Sequence, residues 1–98
     1  MQFMAIMRRR TESFSDDEIE RYLEDEAEAV RTMHIEGTLR TIWSRGDALG
    51  AVLILEAASI GDAQALIDSL PLMGRGMLDQ QMLVPLRGYR GFGPRGQR

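Results

Sequence analysis

Among the side chains able to move a proton, Glu26 stands out. It lies four residues after Tyr22, three after Leu23 and four before Val30, so a helix projects it from an apolar stripe while most neighbouring acids face water. A carboxyl held against a sheet is poorly solvated. Its pKa should rise, which suits a group that takes and returns a proton near neutral pH. The competing reading puts Glu26 at the border of the stripe, paired with an arginine such as Arg40. His34 is the single histidine, four residues after Val30. Histidine is the side-chain type that changes charge near neutrality, but in the last turn of a helix it also caps carbonyls and suits the dipole. Trp43, with Thr41 and Leu39 on its face and Tyr22 across from it, would line a pocket for a flat hydrophobic ligand, or would simply be core. The seven methionines, Met4 and Met7 among them, suit an adaptable apolar cavity as well as they suit gap-filling.

Composition removes several chemistries. There is no cysteine, so disulfides, thiolate metal sites and a cysteine nucleophile are excluded, and one histidine makes a dedicated zinc site unexpected. Every basic side chain is arginine, which excludes a Schiff-base lysine. The first residues lack the order of a secretory signal and no apolar run reaches the ~20 residues of a membrane helix, so a cytoplasmic protein without membrane contact is expected. The net charge of −3 is uneven: ten carboxylates fall between residues 12 and 36, while every charged residue after Asp79 is arginine. The arginines of the tail alternate with Tyr89 and Phe92, as in segments that bind single-stranded nucleic acid. The tail is short and no basic face continues it, so no nucleic-acid partner is expected. It is read instead as docking on the acidic helix, wrapping a neighbouring subunit, or being partly disordered.

The elements that must position these residues follow from periodicity. Residues 2–8 read as a first strand buried on both faces. Ser15, with Glu18 three residues on, caps one long amphipathic helix that carries Ile19, Tyr22, Leu23, Val30 and Met33 and stops at Gly37. TLRTIWSR and ALGAVLILEA form an antiparallel hairpin around Arg45, Gly46 and Asp47. A second helix runs from Ser59 and is ended by Pro71, LMGRG is a loop, and MLDQQMLVPL is a fourth strand. The prediction is therefore an α+β chain: a ferredoxin-like β-α-β-β-α-β domain over residues 1–86 with an antiparallel sheet, followed by a Gly/Arg-rich tail over 87–98. Helices cover one sheet face, and no remaining segment can cover the other. A homodimer or higher homo-oligomer packed sheet to sheet, a dimeric α/β barrel, is expected.

Three pieces carry a family signal: Glu36-Gly37-Thr38 at the helix-to-strand junction, Trp43 in the second strand, and Leu70-Pro71-Leu72 after the second helix. With them the chain resembles the muconolactone isomerase family over roughly residues 2–86. The resemblance implies a cofactor-free enzyme that moves a proton within an unsaturated lactone, and Glu26 matches a glutamate of the family motif. Met4 stands where a histidine is usual, Thr41 replaces a histidine, and Ala48 and Leu49 replace a His-Tyr pair. These changes imply a larger, greasier substrate such as a polyketide intermediate. The leading expectation is an isomerase or cyclase of a small hydrophobic oxygenated ring compound, with Glu26 as base and acid and Thr41 holding an oxyanion. A cofactor-free monooxygenase of aromatic polyketides and a non-catalytic binding or assembly protein are the alternatives.

Overall fold

The computed structural model describes residues 1–93. Strand β1 (Gln2–Arg9) leads to helices α1 (Asp16–Glu20) and α2 (Leu23–Glu36). The hairpin of β2 (Leu39–Ser44) and β3 (Gly50–Glu56) follows, then helices α3 (Ile60–Asp68) and α4 (Pro71–Gly74) and strand β4 (Leu78–Leu86). The sheet order is β2-β3-β1-β4 with antiparallel neighbours throughout, the split β-α-β arrangement of a ferredoxin-like domain.

Local chemistry sets the helix ends. The Ser15 hydroxyl accepts from the Glu18 N–H at 3.2 Å and Glu18 Oε1 accepts from the Ser15 N–H at 3.0 Å, the expected reciprocal cap. The helix it opens is not the single long one expected. It breaks at Arg21 and Tyr22, and the break drops Ile19 into a small core with Leu72 and Met77 while Met33 packs over the sheet. Helix α2 ends at Gly37, whose φ of 85° is left-handed, a conformation glycine adopts without a Cβ clash; the Thr38 N–H then reaches Met33 O at 3.0 Å. Ser59 caps α3 through the Asp62 N–H at 3.1 Å. Pro71 does not end that helix. It is the first residue of α4, where proline's missing N–H costs nothing, so the expected LMGRG loop begins as a helical turn.

Phe3, Ala5 and Met7 of β1 join Leu53 and Leu55 of β3 and Leu39 of β2 beneath Met33, Ala63, Ile67 and Leu70 of the helical layer. This is the main core. β1 is thus buried on its helix side only, and its other side, with Met4 and Ile6, is half-exposed. Met4 pairs across the sheet with Ile54 and Val84, and Ile6 with Val52 and Met82, so one apolar face runs over three strands without a helix on it. Among the described residues no helix is long and apolar enough to cross a membrane. After β4 the chain makes a 3₁₀ turn (Arg90–Phe92) in which the Tyr89 and Phe92 rings meet edge to face, centroids 5.1 Å apart. The remainder of the Gly/Arg-rich tail, Arg95 and Arg98 included, lies outside the described residues, and with it the expected docking of the tail.

Candidate active site

A cavity of about 250 Å³ opens between the first half of α2, the chain around Leu70 and Leu72, and the helix side of the sheet. Its walls are largely apolar, with Met7, Leu23, Val30, Leu53, Leu70 and Leu78 prominent. Only Arg9, Glu26 and Ser44 contribute charged or polar side chains to the lining. An engineered apolar cavity of ~150 Å³ holds benzene, so this one has room for a single substituted ring.

Glu26 enters from the first turn of α2, half-buried. Its Oε1 accepts one hydrogen bond, from the Leu72 N–H at 3.0 Å, and no other side-chain hydrogen bond to it is found among the described residues. Burial pushes its carboxyl above the usual carboxylate range, opposed by the Leu72 hydrogen bond and by the charge of Arg9. No arginine is within ion-pair distance of it among the described residues, and Arg40 is exposed on β2, so the pairing considered from sequence is not formed.

The other anticipated site residues do not join Glu26 in this cavity. Between Leu39 and Thr41 the β2–β3 register shifts at Arg40, so Leu39 faces Leu55 but Thr41 faces Ile54 and Trp43 faces Val52. The bulge turns Thr41 and Trp43 away from the helices. Trp43 is 65% exposed on the open sheet face, in register with Val52 of β3 and, across it, Ile6 of β1, and Ile42 and Ser44 take the inward positions expected of Thr41 and Trp43. Thr41 is therefore not placed to support an oxyanion beside Glu26. Tyr22 packs in the small core, with the Arg75 guanidinium 3.7 Å from its ring centroid. His34 is two turns beyond Glu26 on α2, exposed, with Nδ1 3.2 Å from Leu39 O; with Arg31, Arg40 and Thr41 it borders a separate outer groove.

Sequence reasoning missed Arg9 and Ser44. Arg9 was legible by parity, since Phe3, Ala5, Met7 and Arg9 share one face if the first strand is carried to its end. Ser44 was hidden by the bulge.

Residues 1–89 match the model of the muconolactone delta-isomerase family. The chain belongs to that family. Its fold is similar to that of muconolactone isomerase, with a TM-score of 0.78, 18% identity and full coverage of both chains. It is also similar to 5-chloro-2-hydroxyhydroquinone dehydrochlorinase of Burkholderia phenoliruptrix AC1100, solved with 2,5-dihydroxybenzoquinone, with a TM-score of 0.69 and 14% identity over 93% of this chain and 98% of that one. No curated protein sequence matches the chain significantly. The family and both structural neighbours are enzymes of small molecules, and the family relation agrees with the resemblance carried by Glu36-Gly37-Thr38, Trp43 and Leu70-Pro71-Leu72.

Proposed function

We propose that the chain is a cofactor-independent isomerase or cyclase that moves a proton within a small, hydrophobic, oxygenated ring compound. The observation that carries this reading is the Glu26 carboxyl, half-buried in a largely apolar cavity of single-ring size, with one oxygen held by Leu72 N–H and the other without a partner among the described residues. The free Oε2 takes a proton from carbon alpha to a carbonyl, and the C–H electron pair spreads into an enolate. The resulting acid returns the proton to the far carbon of the conjugated system, which shifts the double bond and leaves Glu26 ionised again. A raised pKa makes the carboxylate the stronger base for the first step. The cavity volume favours one ring over a multi-ring polyketide. The names of the two structural neighbours, an isomerase of a lactone and a dehydrochlorinase of a hydroxyhydroquinone, are compatible with proton removal beside a carbonyl or a ring enol as a shared step. The same reading has a second copy of the chain covering the open face around Met4, Trp43 and Ile54.

Turnover of a series of unsaturated five-membered lactones, followed by NMR in air and under nitrogen, tests the proposal. Isomerisation that is independent of oxygen and abolished in Glu26→Gln supports it. Oxygen consumption coupled to turnover would replace it with the monooxygenase reading, and unchanged turnover in Glu26→Gln would remove Glu26 from the reaction.

A further inference from the structure

Three consecutive arginines stand at the end of β1, Arg8 and Arg9 within it and Arg10 just beyond, and their surroundings differ. Arg8 is held by Glu12, at 2.9 and 3.1 Å, and by Asp79 at 3.5 Å. Arg10 donates to Gly76 O at 2.9 Å and to Ser13 Oγ at 3.4 Å. Arg9 alone has no side-chain hydrogen bond or ion pair among the described residues. Strand parity sends it to the helix side, and it lines the same cavity as Glu26. A half-buried arginine lining a largely apolar cavity, its guanidinium with five donors and no acceptor, is an incomplete arrangement, since buried charge is stable when paired and hydrogen-bonded.

We propose that Arg9 is the anion-recognition residue of this cavity, receiving an oxyanion substituent, a carboxylate or an ionised enol or phenol, on the ring compound bound there. This deepens the reading of the cavity as a substrate site and rests on it. The planar fork of a guanidinium pairs with two carboxylate oxygens at once, or donates twice to one phenolate oxygen, so it would fix the ring's orientation relative to Glu26 Oε2. Ser44, on the same lining, is available as a further donor. The substrate class is thereby narrowed from a hydrophobic oxygenated ring to an acidic one.

Calorimetric titration of the intact chain with benzoate and with its neutral isostere benzamide tests this, with 4-nitrophenolate as the phenolate probe. The expected result is a preference of about ten- to hundredfold for at least one of the two anions over benzamide, the range for a charge-assisted hydrogen bond. Arg9→Gln should abolish the preference, and a cooperative urea unfolding transition reports that the variant is folded. Arg9→Lys should restore part of it, as a point charge without the fork. Equal binding of all three probes by the unaltered protein, no binding of any, or a preference that survives Arg9→Gln would overturn the assignment. Glu26→Gln separates this from the proton-transfer reading. If Glu26→Gln keeps both lactone turnover and the Arg9-dependent preference, the shuttle fails and the anion site stands.

Discussion

Replacing Gly50 by alanine should destabilise the domain at the cavity wall by an amount that follows from its geometry. A Cβ at Gly50 would lie 2.1 Å from Met7 O and 3.0 Å from Met7 C, both backbone atoms of the central strand that cannot swing aside as a side chain does. β3 must therefore move away from β1 by at least about 1.3 Å to reach the 3.4 Å of ordinary contact. That end of the sheet holds the Arg9 N–H to Leu49 O bond at 2.9 Å and the Arg45 N–H to Gly50 O bond at 3.1 Å. Losing or stretching both, at about 1 kcal/mol net each and more where a group is left unsatisfied, gives a cost of about 2 to 4 kcal/mol. For a domain of this size that is a fall in Tm of about 10 to 25 °C, measurable by calorimetry or by urea unfolding. Gly46→Ala, in the hairpin turn where an added Cβ meets nothing within 4 Å, is the control and should stay within about 0.5 kcal/mol of the parent. An equally neutral Gly50→Ala would show that β3 accommodates a Cβ against Met7 without cost.

Glu26 makes opposite predictions for two substitutions. Its folded pKa is raised, so its contribution to stability is full below its unfolded pKa and is lost as pH rises through the folded one. Glu26→Gln cannot ionise and keeps an oxygen for Leu72 N–H, so its stability relative to the parent should increase as pH rises from below the unfolded pKa of Glu26 through its raised folded one, while Glu26→Leu should cost about 1 to 3 kcal/mol by leaving that N–H unpartnered. A parallel pH dependence of urea midpoints in parent and Glu26→Gln would contradict this. His34→Ala, remote from the cavity, should keep kcat/KM within about threefold; a loss in the ~100-fold range expected of a general acid or base would move proton transfer to the outer groove. Ile54→Arg on the open face should convert a dimer or larger assembly to monomer in light scattering, and a monomeric parent would show that no second copy covers that face.

Much of the fold was legible because its signals are local. The Ser15–Glu18 cap, the Gly37 stop and the two-residue alternation of Phe3, Ala5 and Met7 each follow from a few neighbouring residues. The site was less so. Glu26 was found because helical spacing alone projects it from an apolar stripe. Thr41 and Trp43 were misplaced because one extra residue at Arg40 inverts every later side chain of β2, and a bulge leaves no mark in hydrophobic alternation until the partner strand is known. Arg9 was passed over because a run of arginines reads as a polar break, although its middle member continues the buried face of the strand. The helix break at Tyr22 and the turn opened by Pro71 share one cause: Ile19, Leu72 and Met77 close a second, smaller core that neither helix reveals alone.

The central claim is that Glu26 itself carries the proton. Incubating the chain with an unsaturated lactone in D₂O and following the carbon alpha to the carbonyl by NMR tests it most directly, because exchange needs no net turnover. Deuterium should enter at that carbon with the unaltered protein, and not above the uncatalysed rate with Glu26→Gln. Exchange at the parent rate in Glu26→Gln would contradict it.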